Sequence, residues 1–117
     1  MTKFENTVKE FNSLVQQFKF IQAVDKFYDQ NIISTDNNNE PTKGLENFRK
    51  AVENFTANSE IEKLELISTI VDKDLSVAHW HYIFTNKNFG RLDYKQISVQ
   101  RWKDGKIVQE NHFYNLF

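Results

Sequence analysis

The stretch from Leu92 to Tyr114, LDYKQISVQRWKDGKIVQENHFY, decides the fold. It reads as two long alternating strands, Leu92 to Trp102 and Ile107 to Leu116, joined through Asp104-Gly105. A two-residue type I′ hairpin needs positive φ at both central positions, and Asp-Gly supplies residues that tolerate it. With that turn, Trp102 faces Ile107, Gln100 faces Gln109 and Ser98 faces Asn111. Directly opposed side chains share a face of the sheet. One face then carries Tyr94, Gln96, Ser98, Gln100, Trp102, Ile107, Gln109, Asn111 and Phe113, and the other Ile97, Val99, Arg101, Val108, Glu110, His112 and Tyr114. Neither set is solvent-like, so the helices are expected to cover one face and a second copy of the chain the other.

Upstream, Ile61 to Val71 and Leu75 to Thr85 read as two further long strands. In the second, Ala78, Trp80, Tyr82 and Phe84 alternate with His79 and His81, and the apolar set is expected to face the helices. Four strands of this length should twist and bend strongly. The N-terminal part is helical. Phe4, Val8, Phe11, Val15 and Phe18 recur at spacings of three and four, and Ile21, Val24, Phe27 and Tyr28 form a second stripe. No Gly or Pro separates the stripes, so periodicity leaves open whether the helix breaks near Lys19. Asn31 to Thr35 is a brief β-branched strand running into Asp36-Asn37-Asn38-Asn39. A third helix begins at Pro41-Thr42, with Thr42 as N-cap and Leu45, Phe48, Val52 and Phe55 as its buried stripe, and ends at Ala57-Asn58-Ser59. Helices followed by a strand meander define an α+β domain, with three helices packed on a curved, mostly antiparallel sheet.

Composition narrows the function. At 117 residues the chain is expected to form one domain, 1–117. Lys+Arg 15 against Asp+Glu 16 leaves a net charge of -1, which argues against nucleic acid and anionic membrane as partners. No segment has the length of a membrane span, and charged residues precede any apolar run at the N-terminus, so a cytoplasmic location is expected. The absence of cysteine removes thiol nucleophiles and thiolate metal sites. His79-x-His81 has a spacing seen in zinc sites but lacks a third ligand, and no Gly-rich phosphate loop occurs, so neither metal nor cofactor is expected.

Two helices, a short strand, a helix headed by Gly44 and four long strands with the turn Trp102-Lys103-Asp104-Gly105-Lys106-Ile107 resemble the SnoaL-like and ketosteroid isomerase-like branch of the nuclear transport factor 2-like superfamily. The resemblance covers essentially the whole chain and implies a cystatin-like cone enclosing a pocket. It places Asp36, after the first strand and ahead of Gly44, at the isomerase's general-base position, and Tyr28 at that of a supporting tyrosine. The isomerase's oxyanion tyrosine falls on Asn12 and its second oxyanion acid on Ser98, so that particular isomerase activity is not implied.

Asp36 is the candidate base, because a carboxylate beside an apolar pocket gains basicity through desolvation; the alternative is that it only bonds local backbone N–H groups. Asn12, Tyr28, Trp80, Tyr82, Tyr94, Gln96, Ser98, Gln109 and Asn111 are the expected pocket-lining residues, and among them Gln96, Ser98, Gln109 and Asn111 either bind a ligand or satisfy one another around water. Ser98 has no His and Asp relay on its expected face, which disfavours a hydrolase triad. Two functions follow: a cofactor-independent isomerase, cyclase or dehydratase acting on a small, largely apolar molecule, or a non-catalytic ligand-binding domain. Either is expected to be a homodimer through the outer sheet face.

Overall fold

The computed structural model describes residues 1–115. Three helices, α1 (Lys3–Gln16), α2 (Phe20–Phe27) and α3 (Leu45–Asn58), pack on a six-stranded sheet. Its strands are β1 (Tyr28–Asp36), β2 (Thr42–Lys43), β3 (Ser59–Asp72), β4 (Leu75–Asn86), β5 (Gly90–Lys103) and β6 (Lys106–Tyr114). They lie in the order β2-β1-β6-β5-β4-β3, antiparallel except for the parallel pair β1 and β6. The α+β architecture is that expected from the sequence. Leu116, expected to end the last strand, lies outside the described residues.

Local chemistry sets the helix boundaries. Thr2 and Glu5 form a reciprocal capping box that starts α1. The open question near Lys19 resolves as a break: Phe18 takes a φ of 65°, which no helix accommodates. Thr42 is not the N-cap of α3. It pairs with Ser34 in β2, and the cap falls on Gly44, whose φ of 87° turns the chain from strand to helix while its N–H donates to the Ile32 carbonyl.

The helices bury their stripes against one face of the sheet. Val8 and Phe11 of α1, Ala23, Val24 and Phe27 of α2 and Phe48 of α3 form one cluster with Tyr28, Ile32, Trp102 and Ile107. Phe11 sits edge-on to Phe27, Tyr28 and Trp102. Leu64, Ala78 and Trp80 form a second cluster. On β4, Ala78, Trp80, Tyr82 and Phe84 face inward and His79 and His81 outward, as their alternation implies.

The hairpin departs from the expected register. Asp104 and Gly105 have φ of 52° and 77°, and Trp102 does face Ile107. The next pair, however, is Arg101 with Gln109, followed by Gln100 with Glu110, Val99 with Asn111 and Ser98 with His112. Val108 is the additional residue of a β-bulge, and a one-residue slip sends every later side chain to the opposite face. Glu110, His112 and Tyr114 therefore point inward, whereas Gln109, Asn111 and Phe113 point outward. Bulges between Ile61 and Lys63 and between Leu66 and Ser68 bend β3 in the same way.

Deleting Val108 should remove the bulge while leaving Gln109 opposite Arg101 and Glu110 opposite Gln100, so that the inward set of β6 is kept and only the local bend is lost. The expected cost is smaller than the about 3 kcal/mol or more expected of Glu110→Ala, which leaves Tyr28, Gln100 and His112 without their buried partner. Urea denaturation followed by circular dichroism measures both; a Val108 deletion as destabilising as Glu110→Ala would refute the role given to the bulge.

Candidate functional site

Between the helices and the inner sheet face lies a cavity of about 330 Å³. Its walls divide by element. The helices contribute apolar side chains, including Phe11, Val15, Val24, Phe48 and Phe55, because their stripes carry nothing else. The sheet contributes the polar groups, chiefly Ser34, Asp36, Gln96, Ser98, Glu110 and His112, alongside Trp80 and four tyrosines.

The buried polar groups form one connected chain. Trp102 Nε1 donates to Ser76 Oγ at 2.8 Å, and Ser76 Oγ donates to Gln100 Oε1 at 2.9 Å. Gln100 Nε2 and the Tyr28 hydroxyl both donate to Glu110 Oε2, at 2.8 and 2.6 Å. The other carboxylate oxygen, Oε1, lies 3.1 Å from His112 Nε2. His112 Nδ1 is 2.8 Å from Ser98 Oγ, which also accepts from Gln96 Nε2 at 3.0 Å. Among the described residues no buried side-chain polar atom lacks a partner.

This chain sets the charge states. Burial alone would raise the Glu110 carboxyl, which is 2 % exposed, but the His112 charge and the bonds from His112, Tyr28 and Gln100 outweigh it and hold it below the usual range. Burial likewise opposes the charged form of His112, yet the charge and hydrogen bond of Glu110, with a contribution from Asp36, hold its proton to a higher pH than usual. Burial first, then the Glu110 charge, pushes the Tyr28 hydroxyl well up, so it remains a donor. Glu110 is thus saturated and points its charge at His112. The imidazole, with 23 % of its side chain accessible, presents that charge to the cavity together with Ser98.

Asp36 pairs with His112 across the parallel β1 and β6 ladder, so the two side chains share the cavity face. Asp36 is exposed, standing where the cavity meets solvent. Its carboxylate does not bond local backbone N–H groups; Oδ2 accepts from the Tyr114 hydroxyl at 2.8 Å. Tyr114 stacks on Tyr94, and Tyr94 on Tyr82, with centroids 4.8 and 5.7 Å apart. Desolvation is the first cause holding all three phenols above their ordinary value, so they line the wall as neutral groups.

Of the residues expected at the pocket, Tyr28, Trp80, Tyr82, Tyr94, Gln96 and Ser98 stand on the cavity wall with Asp36. Three do not. Asn12 is buried beneath α1, where its Nδ2 reaches Thr69 Oγ1 at 3.4 Å, and Gln109 and Asn111 lie on the outer face because of the bulge. Glu110 and His112 take the inner places instead, and Gln100 and Tyr114 join them. Ser98 therefore does have a histidine and a carboxylate on its own face, contrary to expectation. Acyl transfer still lacks an oxyanion hole there, because β5 is paired on both sides and its backbone N–H groups are spent on the ladder. His112 pairs with Ser98 and not with Ile97, and faces away from His79 and His81; His81 instead bonds Asp93 at 2.7 Å. Among the described residues no three metal-ligating side chains converge.

A curved sheet enclosing a one-ended cavity under three helices is the nuclear transport factor 2-like α+β cone. Residues 8–110 match the SnoaL-like domain, and the chain belongs to that family. A proposed SnoaL-like polyketide cyclase from Mesorhizobium loti superposes with a TM-score of 0.88 at 23 % identity, over 97 % of this chain and 100 % of that one. An NTF2-like protein of unknown function from Burkholderia pseudomallei gives 0.82 at 14 %, over 99 % and 93 %. An LEH-like epoxide hydrolase from M. tuberculosis gives 0.76 at 12 %, over 94 % and 80 %. At such identities the likeness establishes the fold alone. No curated protein matches the chain significantly.

The buried pair makes stability depend on pH from both sides. Glu110, lowered on folding, contributes above its ordinary value of 4.5 and loses that contribution as pH falls through its folded value. His112, raised on folding, contributes below its ordinary value of 6.5 and loses that contribution as pH rises through its folded value. Their joint contribution should be full between these two ordinary values. In NMR titration His112 should titrate above 6.5 in the wild type, and lower in Glu110→Gln, where burial is no longer opposed by its nearest charge. An unchanged His112 titration in that variant would contradict the pairing.

Proposed function

We propose that this protein is a cofactor-independent acid–base enzyme, an isomerase, cyclase or dehydratase, acting on a small, largely apolar molecule that carries a carbonyl oxygen. The observation that carries this reading is the adjacency of Asp36 and His112 at the polar end of an otherwise apolar cavity, one a carboxyl side chain and the other an imidazole whose proton is held to a higher pH than usual. In the proposed reaction, the Asp36 carboxylate accepts a proton from the carbon beside the carbonyl. Ser98 Oγ donates its proton to the carbonyl oxygen and is resupplied from His112 Nδ1, giving a neutral enol. The enol proton then returns through Ser98 to His112, while the proton held by Asp36 goes to a different carbon in isomerisation, to the oxygen of a second carbonyl attacked by the enol carbon in cyclisation, or to a departing β-hydroxyl, which leaves as water, in dehydration. Glu110, with its oxygens engaged, positions His112 and balances its charge.

The test is deuterium incorporation from D2O into a panel of cyclic enones and β-hydroxy ketones, read by mass spectrometry. Wild type should catalyse exchange, and Asp36→Asn and His112→Asn should each slow it by about 10²-fold or more with the fold retained. Binding of these probes without any exchange would favour the second reading, a non-catalytic ligand-binding domain.

The outer sheet face supports a homodimer under either reading. Ile70, Val77 and Val99 lie in one row across β3, β4 and β5, and Ile97 and Phe113 in the next, with Ile70 65 % and Phe113 51 % exposed. Sedimentation equilibrium at micromolar concentration should give a dimer, and Val99→Glu a monomer of unchanged circular dichroism; a monomeric wild type would exclude this interface. A cytoplasmic setting belongs to the same proposal, supported by the cysteine-free composition. No helix among the described residues is long and apolar enough to cross a membrane.

A further inference from the structure

The charge carried by the cavity wall constrains what can enter it. Among the described residues that line it, Asp36 and Glu110 are acidic, His112 is the one imidazole, and there is no lysine or arginine. Two carboxylates against one imidazolium leave a formal charge of −1, and a neutral imidazole leaves −2. The helices add nothing to this balance, since their lining residues are Phe, Val and Ala. The single cation is already committed: Glu110 Oε1 sits 3.1 Å from His112 Nε2 inside the protein. Asp36 guards the solvent side of the same imidazole from the neighbouring strand. Its Oδ2 is taken by the Tyr114 hydroxyl, so the remaining oxygen is an acceptor presented to whatever enters. What the wall offers an oxygen is neutral or shared hydrogen bonding, from Ser98, Gln96 and Tyr82.

From this balance we infer that the pocket selects an uncharged or cationic ligand and rejects anions. An anion would have to displace Glu110 from a carboxylate site saturated by three donors, or sit beside Asp36 in a low-dielectric wall that strengthens the repulsion. A neutral carbonyl needs only the Ser98 donor. The inference rests on the reading of the cavity as a ligand site but not on catalysis there.

A matched series on one ring system tests it: 2-acetylnaphthalene, methyl 2-naphthoate, 2-naphthylmethylamine and 2-naphthoate, with dissociation constants from calorimetry at neutral pH. The ketone, ester and amine should bind at least about 10-fold more tightly than the carboxylate. Asp36→Asn, at an exposed position where folding is not at stake, should narrow the gap by improving the carboxylate relative to the ketone. Carboxylate binding equal to or tighter than ester binding overturns the inference and leaves the acid–base reading standing if enone exchange is observed. Failure of all four probes to bind, together with no exchange on enones, overturns both.

Discussion

A carboxylate taken out of water must be surrounded by donors, and Glu110 is the group on which the interior of this protein is organised. Its partners come from three strands: Tyr28 from β1, Gln100 from β5 and His112 from its own strand β6. Satisfying that one charge fixes the rotamers of all three, and through them Ser98, Ser76 and the Trp102 indole. Trp102 in turn is the platform against which Phe4, Phe11 and Phe27 pack. The apolar core and the polar chain are therefore joined at Trp102, and loosening the polar chain at that point would be felt by all the helices that pack there.

The same constraint separates scaffold from chemistry. Glu110 is spent on structure, and what it exports is charge: an imidazole that keeps its proton and shows it to the cavity. Asp36 has the opposite situation, on the solvent side with one tyrosine partner. Two carboxylates of one wall thus play different parts because one is buried among donors and the other is not.

Much of the architecture was legible in the chain. Spacing of three and four in α1 and α2, alternation in β4 and β5, and Asp104-Gly105 at the hairpin are local patterns, and local steric rules read them directly. The break at Phe18 and the transfer of the α3 cap from Thr42 to Gly44 were not legible, because Phe is no helix breaker and Thr is a good cap. At Thr42 a long-range contact, its pairing with Ser34, overrode propensity. At the site, Tyr28, Ser98, Gln96 and Asp36 were legible, but Glu110 and His112 were assigned to the outer face. Their chemistry was a signal that could have been used: two titratable residues spaced by two on a strand, next to inward Gln100 and Ser98, pair better with amide and hydroxyl groups than Gln109 and Asn111 would.

By itself the sequence determined the three helices and the four long strands in their order, the place of the hairpin, and which face of β4 and β5 is buried, since these depend on periodicity and on backbone conformations available to single residues; the two-residue β2, and the start of β1 at Tyr28 in place of a helical Tyr28, it did not. Only the tertiary structure decided which side chains of β6 enter the cavity. That choice rests on one extra residue, Val108, whose side chain and neighbours carry no local mark of a bulge. The bulge accommodates a sheet that must bend around its helices, and bending is a property of the whole assembly. Its consequence, an imidazolium beside Ser98 in place of an asparagine, is the difference between a passive polar lining and a site with a proton to give.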